Sequence, residues 1–177
     1  MEFENSAITN SNISKTINKD TFIELIQENK ISLYRLSKSI LKNEADVEDA
    51  ISETILKAYT NIHKLKAPES FKAWLMKILV NECYSIIKKN KRIHLEEDFT
   101  TYEGVNEVND GDNLMPYINK LEDTFKAVVI LFYYEDLSIK SIGKILKVPE
   151  GTVKSRLKRA KLKLKNMMEP NYKEGVL

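Results

Sequence analysis

Leu137-Ser-Ile-Lys-Ser-Ile-Gly-Lys-Ile-Leu146-Lys-Val-Pro-Glu-Gly-Thr-Val-Lys-Ser-Arg-Leu-Lys-Arg-Ala160 reads as two amphipathic helices joined by a tight turn. Ser138 is a suitable N-cap, because its hydroxyl can accept a free backbone N–H of the first turn. Gly143 falls where two elements must approach closely, and residues 147–151 make the turn. Pro149 cannot extend the first helix, and Thr152 is placed to cap the second. In that second helix Val153, Leu157, Ala160, Leu164 and Met167 form one apolar stripe. The opposite side presents Ser155, Lys158, Arg159 and Leu162, flanked by Lys154 and Lys161. A helix laid out this way can enter a major groove, with base edges met by its N-terminal half and phosphates by the flanking lysines. The alternative is a basic helix that is merely solvated. Glu150 is the sole acid between Ser138 and Met168, which favours a polyanionic partner.

The charge of the rest of the chain is segregated. Overall, 28 Lys+Arg stand against 26 Asp+Glu in 177 residues, a balance that says nothing by itself about a partner. Between Leu95 and Asn113, however, Glu96, Glu97, Asp98, Glu103, Glu107, Asp110 and Asp112 occur without one Lys or Arg. This stretch has few large apolar residues and cannot bury enough surface to offset chain entropy, so a flexible acidic linker is expected over 95–113. Such a tether can fold back on the basic helix. Residues 1–19 lack periodicity and read as a flexible arm, and 169–177 as a tail. Apolar residues elsewhere fall at helical spacing, predicting helices over 21–28, 32–42, 45–62 and 69–90, then 114–121, 124–135, 139–146 and 152–168. The fold class is therefore all-α, with two small helical domains at 20–94 and 114–168. The single Cys83 allows no internal disulfide, no leader-like segment precedes the first helix, and no apolar run spans a bilayer. A cytoplasmic protein is expected.

Two helices of the first domain carry further signals. On the helix over 45–62, Val47, Ile51, Ile55, Ala58 and Ile62 form the expected core stripe. Opposite lie Asp46, Asp49 and Glu53, with Leu56 and Thr60 beside them, a pattern that suits either a basic protein partner or plain solvation. The helix over 69–90 is apolar around most of its circumference, through Phe71, Leu75, Ile78, Leu79, Cys83 and Ile86. Its polar strip is Lys77, Asn81, Tyr84 and Lys88, with Trp74 at the edge. Cations beside aromatics can hold phosphates and stack on unpaired bases, and a wet edge on a buried helix is the other meaning. Glu82 falls on the apolar side without an evident reason.

In this order the segments resemble the extracytoplasmic-function (ECF) group of bacterial sigma factors, over nearly the whole chain from about Asp20 to Met168. The run Asp46-Val-Glu-Asp-Ala-Ile-Ser-Glu-Thr-Ile-Leu-Lys-Ala-Tyr59 resembles the region 2 helix that grips the clamp helices of the largest polymerase subunit. The resemblance implies polymerase contacts by Asp46, Asp49, Glu53 and Leu56. Phe71-Lys-Ala-Trp-Leu-Met-Lys-Ile-Leu-Val-Asn81 is similar to the family signature Phe-x-x-Trp-Leu-x-x-Ile-x-x-Asn, followed by a basic tail. The segment from His63 to Ser70 corresponds to the loop that captures a flipped base of the minus-10 element. His63, Lys64, Lys66, Lys77, Asn81, Tyr84 and Lys88 are thereby implied in minus-10 binding. The helix-turn-helix resembles region 4, implying that Lys154, Ser155, Lys158, Arg159 and Lys161 read the minus-35 element. Core RNA polymerase, including the flap of its second-largest subunit, promoter DNA and an anti-sigma factor are the implied partners. The implied function is transcription initiation at a stress or envelope regulon, with cytoplasmic localisation or retention at the membrane by the anti-sigma factor. The sequence departs from the family pattern at Ser52, Ile55, Ser85 and Lys147, where Gln, an aromatic, Asp and Gly are usual.

A stand-alone helix-turn-helix regulator would need neither the Asp46/Asp49/Glu53 face nor the basic, aromatic-rich helix, and a helical adaptor would act through protein contacts alone. His63 and His94 share no ligand spacing with Cys83, so no metal is expected. No phosphate-binding glycine loop and no nucleophile beside a base is present, so no cofactor, small-molecule substrate or enzymatic activity is expected.

Overall fold

The computed structural model describes residues 17–65, 67–93 and 114–168, and every regular element among them is helical. Helix α1 spans Lys19–Ile40. Two helices were expected here, but one runs through: Asn29 is buried, and its Nδ2 donates to the Leu25 carbonyl at 2.8 Å, so its amide is satisfied within the helix. Asn18 caps α1, accepting from Thr21 N at 2.8 Å. The stretch expected to be an unstructured arm therefore contributes the start of the fold at its last residues. The rest of it, the acidic linker and the tail fall outside the described residues.

Helix α2 spans Glu44–Asn61, capped by Asn43, and a 3₁₀ turn follows at Ile62–Lys64. A second 3₁₀ turn, Pro68–Ser70, leads into α3 at Phe71–Ile93. The buried stripe of α2 is Val47, Ala50, Thr54 and Ala58, with Ile51, Ile55 and Ile62 only half-buried. The expected stripe is thus rotated toward smaller residues. Thr54 fits the core because its Oγ1 donates to the Ala50 carbonyl at 2.6 Å. Small side chains on this face bring α2 close to α3, whose Phe71, Leu75, Leu79 and Cys83 are fully or nearly fully buried.

In the second half, α4 is short, Met115–Asn119, and α5 spans Asp123–Val129. The helix expected over 124–135 does not stay α-helical: it widens into a π-helical turn at Ile130–Tyr134, with Glu135 N donating to the Ile130 carbonyl at 3.1 Å. Asp136, at φ 53°, then ends the segment in the left-handed region. Helices α6, Ile139–Leu146, and α7, Glu150–Met168, form the helix-turn-helix. Ser138 caps α6 as expected, accepting from Ser141 N at 3.2 Å. Thr152 does not cap α7. That helix starts two residues earlier, and Thr152 N donates to the Pro149 carbonyl at 2.9 Å inside its first turn. Gly143 is buried under the turn, where a Cβ would lie 2.9 Å from the Val148 carbonyl oxygen.

The two halves pack on one another. Helix α1 lies against α5 and its π turn, and α3 lies against α6. Among the described residues, no helix is long and apolar enough to cross a membrane.

Candidate nucleic-acid interface

On α7, Lys154, Ser155, Lys158, Arg159 and Lys161 are all exposed, while Val153, Ala160 and Leu164 are buried and Leu157 and Met167 half-buried. The apolar stripe read from the sequence is the packed face, and the basic side is free. Ser155 Oγ donates to the Thr152 carbonyl at 2.9 Å, which leaves its lone pairs outward as an acceptor. Lys163 is turned away to Glu122, at 2.7 Å, and lies over the Phe125 ring. It stands apart from the free basic side. Leu162 is 60% exposed among the cations, an apolar point that packing within the chain does not explain.

On α3, Lys77, Tyr84 and Lys88 are exposed and Asn81 is half-buried. An aromatic chain anchors the start of this strip: Tyr59 of α2 meets Phe22 of α1 edge-on at 5.3 Å, Phe22 meets Phe71 at 6.1 Å, and Phe71 meets Trp74 at 6.0 Å. The hydroxyl of Tyr84 is pushed up chiefly by burial, with Arg156 of α7 opposing and Asp123 of α5 adding a smaller push. His63 and Lys64 lie exposed in the 3₁₀ turn after α2, with Lys64 Nζ donating to Asn61 Oδ1 at 2.6 Å. Lys66 lies outside the described residues.

The acidic residues of α2 do not form one uniform face. Asp49, Glu53 and Leu56 line a shallow hollow between α2 and α3 together with Ser52, Glu82, Ser85 and Ile86. Two residues that depart from the family pattern, Ser52 and Ser85, sit in this hollow, where short side chains leave it open. Asp46 is half-buried and accepts from Asn90 Nδ2 at 2.9 Å, so it fastens α2 to the end of α3 as well as facing outward. Glu82, unexplained by the sequence, accepts Lys57 Nζ at 2.7 Å, and the same amine lies 3.1 Å from Glu53. The Lys57 amine is held protonated above its ordinary range, first by the bond to Glu82. Helical periodicity could not reveal this, because the partner lies on another helix.

The sequence also passed over Glu135, the one buried acid among the described residues of the second half. Glu135 is fully buried, with Arg35 Nη1 of α1 at 3.4 Å from Oε1 and Lys72 Nζ of α3 at 2.9 Å from Oε2. The Arg35 guanidinium also lies over the Tyr134 ring, 4.6 Å from its centre.

A helical unit with acids on α2 and cations along α3, ahead of a basic helix-turn-helix, fits a transcription initiation factor of the sigma-70 class: sigma-70 region 2 matches residues 25–93, and sigma-70 region 4 matches residues 112–164. Within it, the chain belongs to the ECF sigma factors. It is 33% identical over 149 residues to the RNA polymerase sigma factor SigV of Bacillus subtilis, covering 82% of this chain and 90% of that one. It is 29% identical over 168 residues to the ECF sigma factor SigW of the same organism, covering 85% and 90%. Among solved structures it is similar to the sigma factor RpoE of Bartonella quintana, crystallised with the anti-sigma factor NepR, with TM-score 0.73, 24% identity and coverage of 87% and 99%. CnrH, in complex with the cytosolic domain of CnrY, gives TM-score 0.60 at 20% identity, covering 87% and 91%. As a sigma factor the chain binds core RNA polymerase and promoter DNA, and promoter recognition is its role.

Proposed function

We propose the following division of labour on this frame. Asp46, Asp49, Glu53 and Leu56 engage the clamp helices of the largest polymerase subunit, with the hollow between α2 and α3 receiving the partner side chain. His63, Lys64, Lys66, Lys77, Asn81, Tyr84 and Lys88 hold the opened minus-10 strand, and Lys154, Ser155, Lys158, Arg159 and Lys161 read the minus-35 duplex. The region 4 unit also meets the flap of the second-largest subunit. The factor performs no chemistry of its own and works in the cytoplasm on a stress or envelope regulon. It is restrained by an anti-sigma factor, a reading supported by the fold neighbour RpoE, solved with the anti-sigma factor NepR. The observation that carries the assignment is the exposed basic side of α7, set on a buried stripe with no acid beyond Glu150 in its first turn.

The test is run-off transcription with core polymerase on a promoter library, using the parent chain and an Asp49→Lys, Glu53→Lys double variant. The parent should select a small set of promoters. The variant should retain its helical circular dichroism, because both side chains lie off the packed stripe, and should lose co-purification with core polymerase. Unchanged affinity of the variant would overturn the placement of the polymerase contact, and no promoter-dependent product from the parent would overturn the function.

A further inference from the structure

Glu53 and Lys57 stand one turn apart on α2, with the acid N-terminal to the base, the order in which such a pair attracts best. Lys57 Nζ lies 3.1 Å from Glu53 Oε1, and left alone the lysine would neutralise that carboxylate. A second acid intervenes from α3, because Glu82 Oε2 accepts the same amine at 2.7 Å. The two carboxylates are unequal competitors. The Glu82 side chain is 14% exposed and that of Glu53 46%, so water screens the Glu82 charge less and the cation gains more by staying with it. The same ranking holds the Lys57 amine above its ordinary range, with the bond to Glu82 ahead of the bond to Glu53. Both acids line the hollow between α2 and α3, where Leu56 and Ile86 supply apolar wall and Asp49 a further carboxylate. Three carboxylates thus meet one ammonium, and the unmatched negative charge falls on the better hydrated Asp49 and Glu53.

We propose that Glu82 is a positioning residue for the polymerase contact: by holding the Lys57 amine, it keeps the Glu53 carboxylate available to a basic side chain of the partner. The inference rests on the division of labour above, in which Glu53 meets the clamp helices. Without Glu82, the remaining partner of Lys57 is the acid one turn before it, and a cation arriving at Glu53 must first displace that lysine. With Glu82 in place the amine is already anchored on the α3 side. The incoming side chain can then lay its alkyl stem on Leu56 and Ile86 and bring its charged head to Asp49 and Glu53. Leu56, 59% exposed in the free chain, gains a neighbour in this way. Of the α3 residues that line the hollow, Glu82, Ser85 and Ile86, Glu82 alone carries charge, so the task falls to it. An acid on the otherwise apolar side of α3 thereby acquires a reason.

Equilibrium binding of the full chain to core RNA polymerase, measured by competition against labelled parent at low and high salt, tests this. The chains compared are the parent, Glu53→Gln, Glu82→Met, and Glu82→Met combined with Lys57→Gln. Methionine keeps the length of Glu82 and removes the acceptor, leaving Lys57 to Glu53. Glu82→Met should weaken binding about three- to fivefold, the scale of one exposed ion pair, and the loss should shrink at high salt. Adding Lys57→Gln takes away the cation that would neutralise Glu53, and should return the affinity to within about twofold of the parent. A residue that only fastened α3 to α2 would behave in the opposite way, because the double variant lacks both ends of the fastening and would bind no better than the single one. Unchanged affinity of Glu82→Met, or no recovery in the double variant, overturns the inference. Glu53→Gln separates the two readings. If it binds as tightly as the parent, the polymerase contact is misplaced and the inference falls with it; if it weakens binding while Glu82→Met does not, the inference alone falls.

Discussion

Lys147 shows how one residue carries both the legible and the illegible parts of this chain. Its position after α6 demands a left-handed backbone, at φ 55° and ψ 44°, and its N–H donates to the Gly143 carbonyl to end the helix. The turn was readable from Pro149 and the flanking periodicity, and Lys147 was readable as a departure from the usual glycine. A side chain at this conformation costs about 1–2 kcal/mol. Lys147→Gly should therefore stabilise the chain by about 1 kcal/mol, raising the melting temperature by about 2–4 °C in calorimetry. Cys83 behaves in the opposite manner, as a residue whose surroundings favour what it already is. Burial pushes its thiol up to about 12 from 9.0, so it stays neutral and inert. Because the folded value is the raised one, this contribution is complete below about pH 9 and is lost as pH rises toward 12, where only the unfolded chain ionises freely. Denaturant unfolding at pH 8 and pH 10 should show a steeper loss for the parent than for Cys83→Ala. Alkylation of the folded parent at pH 8 should be negligible.

At the scale of elements, periodicity located every long helix but not their ends or junctions. The two expected N-terminal helices fuse because Asn29 finds a partner in its own backbone, a satisfaction that composition does not reveal. The α2 stripe rotates from Ile55 toward Thr54 because the close approach of α3 favours small residues over large ones, which is a property of the pair. Helix α7 was read best, since its amphipathic sides are set by α4 to α6 packed within the same half. That side-by-side order gives α7 two distinct tasks. Arg159 projects near the middle of the free side and Lys161 at its margin. Arg159→Ala should relax base preference in the upstream element, each lost base contact being worth about 1–3 kcal/mol. Lys161→Ala should instead weaken all sequences alike and lower the salt dependence by about one phosphate contact. Binding profiles across mutated upstream elements, at two salt concentrations, separate the two. Unchanged preference in the Arg159 variant would mean that α7 enters the groove at another angle.

For the whole molecule, the reading of two separate helical halves captures their identity and misses their contact. Arg35, Lys72 and Glu135 look like ordinary surface charges in the sequence, and only the tertiary fold brings residues a hundred positions apart into one cluster around a buried carboxylate. One consequence is measurable in the unfolding reaction. If the halves share buried surface and a desolvated acid between two cations, heating the parent must break that interface along with the cores it joins, and calorimetry should record one transition. Glu135→Gln takes away the buried partner of Arg35 and Lys72, whose side chains keep 14% and 37% exposure, so its cost falls below the about 3–5 kcal/mol of stranding a fully buried charge. In Glu135→Gln that loss falls on the contact between the halves, because Ile118, Val128, Ile142 and Val153 within region 4 and Leu33, Val47 and Leu79 within region 2 remain packed. The variant should melt in two separate transitions with little change in helicity before the first. A single transition, merely shifted to lower temperature, would show that the halves fold as one unit irrespective of Glu135.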